Sequence, residues 1–182
     1  MSISRDIGIL GGGVAGLAAA VALARKGFEV TVYEQAPEIR EVGAGLQISP
    51  NGAAILEHLG LSDALSEAGV RAEKVELLNG PAGKRVAQFD VSKGVNGHGY
   101  FFLHRADLVT MLGNAAWNAG ATLELARKAV SVQTSPSAAE IEFENGTKAR
   151  HDIVVAADGV HSVARAIVHE HCLLYTSDAA DE

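Results

Sequence analysis

The chain has 182 residues, 48% hydrophobic and 20% charged, with 20 Gly, 4 Pro and a formal net charge of −7. That length and apolar content support a folded core without disulfide or metal staples, and exclude a disordered or collagen-like chain. The single cysteine excludes a disulfide framework, no run approaches the roughly 18–20 apolar residues of a membrane span, and the acidic balance argues against nucleic acid or anionic lipid as partner. The opening MSISRDIGIL lacks a long apolar stretch with a cleavage site, so a cytoplasmic protein is expected.

In chain order, Asp6–Leu10 is a short apolar run that predicts a buried strand. Gly11, Gly13 and Gly16 then form a G-x-G-x-x-G within GGGVAGL. A small-residue helix is predicted from Val14 to Lys26, with Gly27 in the place of a C-cap glycine. A second strand, Phe28–Tyr33, ends at Glu34. Strand, glycine turn, helix, strand and acid in this order make a dinucleotide-binding fingerprint. Gly11 permits the tight turn, Gly13 lets a pyrophosphate approach the backbone, and Gly16 lets the helix pack on the strands. The helix N-terminus offers free N–H groups and a partial positive charge to the phosphates. Glu34 suits the ribose hydroxyls and disfavours a 2′-phosphate, so NADP is not expected in this site. The fingerprint by itself leaves NAD and FAD open.

A simple NAD domain would continue helix, strand, helix, strand, and this chain does not. A loop rich in Gly and Pro follows, QAPEIREVGAGLQISPNG. Helices are predicted at Asn51–Leu59, capped by Ser49 or Asn51, and at Ser62–Ala68. Strands are predicted at Val75–Leu78, Arg85–Phe89 and Tyr100–Leu103, then a helix from Arg105 to Asn118 ended by Gly120. Thr122–Leu125, Ala129–Val132 and Glu140–Phe143 read as strands, the last turning at Asn145-Gly146 into Thr147–Ala149. The final strand, Asp152–Ala156, leads into Asp158-Gly159. A carboxylate at the carboxyl end of a buried strand lies in the ligand crevice of an open α/β sheet, and Asp158 also suits the N-cap of a helix starting near His161.

From Ile3 to about His171 the chain resembles the N-terminal part of class A flavoprotein monooxygenases of the para-hydroxybenzoate and salicylate hydroxylase type. Four motifs in order carry the resemblance: GGGVAGL with Glu34; EVGAGLQISPNG, Glu41 to Gly52; LHRADL, Leu103 to Leu108; and AADGVHSVAR, Ala156 to Arg165, which fits D-G-x-x-S-x-x-R. The resemblance implies an α/β fold: a Rossmann-like FAD-binding domain of the glutathione-reductase type, truncated, with part of an inserted β-rich substrate region at about 74–103. It implies FAD held by Gly11, Gly13, Val14, Ala15 and Gly16, with Glu34 and Gln35 beyond them. Ala129 and Val130 would lie beside the adenine. Gln47 would lie near the cofactor, where several relatives carry a titratable histidine. Arg105 would contact the flavin nucleotide, and it equally suits a surface ion pair with Asp107. Asp158, Gly159 and Arg165 would serve both FAD and a transient NAD(P)H.

The resemblance further implies a parent enzyme in which NAD(P)H reduces FAD and the reduced flavin meets dioxygen to give a C4a-hydroperoxide. That species hydroxylates a small aromatic substrate, a phenol, in a pocket kept dry against loss of peroxide. Other FAD enzymes on the same scaffold (epoxidases, halogenases, oxidases) and a non-catalytic nucleotide-binding module are the alternatives. AADGVHSVAR favours a monooxygenase. Family members continue with a G-D motif for the pyrophosphate and ribityl chain and with most of the substrate-binding sheet. This piece alone is therefore expected to be inactive, and no catalytic base is named. His169 and His171 lack a third ligand, so no metal is expected. Trp117 and the Phe101-Phe102 pair are expected in the core. The tail CLLYTSDAADE, residues 172–182, resembles a translated transposase sequencing adapter. On that expectation it is not native, and it carries the only cysteine, Cys172, and three acids, Asp178, Asp181 and Glu182.

Overall fold

A computed structural model describes residues 6–38 and 44–165. The Glu41–Gly43 part of the second motif, the His169 and His171 pair and the 172–182 tail lie outside the described residues. In chain order the elements begin with β1 (Asp6–Leu10), α1 (Val14–Ala24), β2 (Glu29–Tyr33), β3 (Gly45–Ile48), α2 (Pro50–His58) and α3 (Ser62–Ala68). They continue with β4 (Val70–Arg71), β5 (Lys74–Asn79), β6 (Lys84–Asp90), β7 (Phe101–His104) and α4 (Arg105–Asn118). Last come β8 (Thr122–Glu124), β9 (Ala129–Ser135), β10 (Ala138–Phe143), β11 (Lys148–His151) and β12 (Ile153–Ala156). The fold is mixed α/β, and the chain divides into two compact units, Met1–Glu38 with Ala116–Glu182, and Ile39–Ala115.

The first unit is built on a parallel sheet of order β12-β1-β2-β8. β1 lies inside it, and Ile7, Ile9 and Leu10 are buried, as an apolar run in a covered parallel strand demands. α1 connects β1 to β2 and buries Gly16, Leu17, Ala20, Val21 and Ala24, residues small enough for close approach to the strands. It stops short of the predicted Lys26. Gly27 takes φ +85, and the Phe28 N–H turns back to the Leu23 carbonyl, closing the helix end.

An antiparallel meander of order β11-β10-β9 forms the second sheet of this unit. Its hairpin turns at Asn145-Gly146, with Gly146 at φ +76, as the Asn-Gly pair predicts. Along β10, Ala139, Ile141 and Phe143 are buried at every second position. Ile141 and Phe143 join Leu10, Tyr33, Val132 and Ala164 in one core cluster, so the meander packs on the parallel sheet.

In the second unit β3-β7-β4 form an antiparallel sheet and β5-β6 a separate two-stranded ladder. The predicted loop before Ser49 contains β3, and β4 was not predicted. Both are short, and their partner β7 lies far along the chain, so no local period announces them. On β7, Phe101 and Leu103 are buried while Phe102 and His104 are exposed, so only one phenylalanine of the pair is core. Trp117 is not core either, being 70% exposed. The buried residues of α4 are Leu108, Val109, Met111, Leu112, Ala115 and Ala116, and Trp117 falls outside that stripe. Among the described residues no helix is long and apolar enough to cross a membrane, and no group of three metal-ligating side chains assembles.

Candidate functional site

The carboxyl ends of β1, β2 and β12 meet at the glycine turn. The Gly11 N–H donates to the Tyr33 carbonyl at 2.8 Å, and the Ala157 N–H donates to the Leu10 carbonyl at 2.9 Å. Gly11 adopts φ +98, and a Cβ there would collide with the Ala157 carbonyl. A Cβ on Gly16 would collide with the Gly11 carbonyl. The fold itself therefore requires both glycines. Gly13 differs: its φ is −79, and a Cβ would meet no protein atom within 4 Å. The space beside it belongs to no part of the described chain.

Gly13 is also the N-cap of α1, with no side-chain cap and no acid in the first turn. Caps normally satisfy the first N–H groups of a helix. Here those donors, on Val14, Ala15 and Gly16, have no side chain among the described residues to receive them, and the positive end of the helix dipole faces the open space beside Gly13. This suits an anionic phosphate.

Glu34 follows β2 directly and is half-buried. Its Oε2 accepts the Gly12 N–H at 2.6 Å and its Oε1 accepts the Ala36 N–H at 2.8 Å. The sequence suggested the ribose role for this carboxylate but not these backbone bonds. Each oxygen keeps a second lone pair for a hydroxyl donor. Gln35 is exposed beside it. The backbone of Glu34 is held too: its carbonyl accepts the Arg127 N–H at 2.9 Å, and the Ala36 carbonyl accepts the Ala126 N–H at 3.0 Å. The segment leading into Ala129 is thereby brought alongside Glu34. Ala126 sits at φ +54, a left-handed conformation that costs a non-glycine residue about 1 kcal/mol.

After β12 the D-G-x-x-S-x-x-R motif closes a loop on itself. Asp158 Oδ2 accepts the Val163 N–H at 2.7 Å, and Ser162 Oγ accepts the Arg165 N–H at 3.1 Å. The Arg165 guanidinium donates to the carbonyls of Val160 at 3.0 Å and Gly159 at 2.9 Å. Gly159 takes φ +78. Asp158 thus caps a turn, and the helix expected to start near His161 does not start there: residues 159–164 are turn and irregular backbone. Its Oδ1 is buried without a hydrogen-bond partner among the described residues. A buried orphan acceptor is costly, and a donor brought by a ligand would satisfy it.

Gln47 and Arg105 belong to the second unit. Gln47 lies on β3 opposite Phe102, and its Oε1 accepts the Tyr100 hydroxyl at 2.8 Å. Gln47 alone did not reveal that pairing. Arg105 opens α4 and is exposed, with its N–H donating to the Ala44 carbonyl at 3.3 Å. The structure therefore gathers Gly11, Gly13, Val14, Ala15, Gly16, Glu34, Asp158 and Gly159 around one turn, and sets Gln47 and Arg105 in the other unit.

A family model described as the FAD binding domain matches residues 4–173. The 3-amino-4-hydroxybenzoate 2-monooxygenase of Streptomyces cremeus is 40% identical over 171 residues, covering 91% of this chain and 43% of that protein. A 3-hydroxybenzoate 6-hydroxylase of Aquipseudomonas alcaligenes is 32% identical, covering 88% of this chain and 42% of that protein. Among solved structures, a tetrameric form of 2-methyl-3-hydroxypyridine-5-carboxylic acid oxygenase matches with a TM-score of 0.77 at 30% identity, covering 88% of this chain and 41% of the other. The chain spans less than half the length of these relatives.

Proposed function

The chain belongs to the FAD binding domain family, and from that premise we propose that it is part of a flavoprotein monooxygenase that hydroxylates a phenolic aromatic substrate with NAD(P)H and dioxygen. The observation that carries the reading is the glycine turn: open space beside Gly13, facing a helix N-terminus that no side chain caps. The scaffold is of the glutathione-reductase type, with strands of an inserted substrate region at about 74–103 within the second unit. The substrate class rests on relatives whose names specify hydroxylated ring carboxylates, among them 3-amino-4-hydroxybenzoate, 3-hydroxybenzoate and 6-hydroxynicotinate.

Bound FAD supplies hydride acceptance and dioxygen chemistry that side chains lack. The chain's own residues bind and orient it. The N–H groups of Val14, Ala15 and Gly16 take the pyrophosphate, with Gly11 and Gly13 bare beside them. Glu34 accepts the adenosine ribose hydroxyls, with Gln35 next to it, and the backbone at Ala129 borders the adenine. Asp158 Oδ1 accepts a donor from the nucleotide. Gly159 and Arg165 shape the loop that NAD(P)H visits. Arg105 and Gln47, a non-titrating amide, are the residues that the family resemblance associates with the flavin nucleotide. Titrating FAD into the flavin-free full-length protein tests the site. Saturable binding that Gly13→Ser weakens by at least about tenfold supports it, because a side chain would enter the phosphate's space. Unchanged binding contradicts it.

A further inference from the structure

Behind the glycine turn lies a polar chain that none of the four motifs contains. His151, at the end of β11, is 6% exposed. Its Nδ1–H donates to Asp6 Oδ1 on β1 at 2.8 Å, because a carboxylate only accepts. Its Nε2 meets the Tyr33 hydroxyl on β2 at 2.9 Å. The imidazole lies against Gly8: a Cβ there would sit 2.5 Å from His151 Cδ2, which explains a glycine in the middle of a buried strand. Tyr33 packs its ring on Phe143, with centroids 4.9 Å apart. Three strands are thus pinned together through one buried imidazole.

Tyr33 is where this chain reaches the site. Its side chain faces the meander, while its carbonyl accepts the Gly11 N–H at 2.8 Å. The next residue, Glu34, holds the Gly12 N–H. The Tyr33–Glu34 pair therefore fixes two consecutive amides of the turn. Apolar packing alone would leave the end of β2 free to slide or twist by fractions of an ångström. A directional hydrogen-bond chain, buried at Tyr33 and His151 and reaching the half-exposed Asp6, does not.

We propose that Tyr33, His151 and Asp6 are positioning residues of the dinucleotide site, holding the end of β2 so that Gly11 and Gly12 keep the geometry that receives the nucleotide. This rests on the reading of the glycine turn as the FAD site. They act through the Tyr33 carbonyl and the Glu34 carboxylate, which hold the Gly11 and Gly12 amides.

The test uses the full-length protein, with amide hydrogen exchange at Gly11 and Gly12 in the flavin-free state and FAD titration, both well below the unfolding temperature. Tyr33→Phe and Asp6→Ala should speed exchange at both glycines by about tenfold and weaken FAD binding by about three- to tenfold. Asp6→Asn, which keeps an acceptor for the His151 Nδ1–H, should restore both quantities to near the unaltered values. Variants that lower the unfolding temperature but leave exchange at Gly11 and Gly12 and FAD affinity unchanged would overturn the assignment. So would an Asp6→Asn protein as impaired as Asp6→Ala. Failure of the unaltered protein to bind FAD overturns the reading of the site itself, and this assignment with it.

Discussion

Gly16 and Gly13 lie three residues apart in one turn and answer to different demands. A Cβ at Gly16 collides with backbone, the Gly11 carbonyl, which cannot swing aside as a side chain can. A Cβ at Gly13 meets no atom of the described residues within 4 Å. Gly13→Ser should therefore leave the flavin-free protein as stable as before, or raise it by a few tenths of a kcal/mol, because serine is the better N-cap. Thermal melts with and without FAD check this: the variant should lose the ligand-induced rise and keep the ligand-free midpoint. At Tyr33, burial pushes the phenol from 10 up to about 12, with Glu124 and Asp6 adding to the shift. The folded state keeps the proton that the unfolded chain releases, so stability is fully present below about pH 10 and falls as pH rises from there toward 12. Denaturant titrations across that window should show the fall, and Tyr33→Phe should flatten it.

At the scale of elements, α1 is held against the turn by the absence of one side chain. Gly16→Ala forces backbone apart and should cost about 1–3 kcal/mol, read as a lower denaturation midpoint. The loop after β12 is held by its own side chains, and Asp158→Ala removes the acceptor of the Val163 N–H. A loss of about 1 kcal/mol is expected, with Asp158→Asn retaining most of it. These local devices were the legible ones. The β1–α1–β2 unit, the Asn145-Gly146 hairpin and the Asp158 cap all lie within a few residues of their own signals. β3 and β4 went unseen because they exist by pairing with β7, and their sequences carry no strand period of their own. Trp117 was misjudged from residue type, when its angular position on α4 decides its exposure. The Tyr33–His151–Asp6 chain was invisible for the same reason as β3: its members lie on three strands far apart in sequence.

At the scale of the molecule, the first unit presents a phosphate-suited helix end, a ribose-suited carboxylate and a buried acceptor without a partner among the described residues, at the carboxyl ends of adjacent parallel strands. Family membership identifies the cofactor as FAD. Gln47 and Arg105 belong to the second unit. The glycine turn and its acid were recognisable from spacing alone, because that spacing is dictated by the turn. The substrate was not, since no compact motif in the chain specifies it. The most direct test of the whole account follows NAD(P)H, oxygen and product together in the full-length protein supplied with FAD and 3-hydroxybenzoate or 3-amino-4-hydroxybenzoate. The account predicts that such a phenol stimulates NAD(P)H oxidation and that hydroxylated product appears in amounts equal to the NAD(P)H consumed. A protein that binds no flavin, or that turns all the oxygen consumed into hydrogen peroxide with every hydroxylated aromatic acid offered, would contradict it.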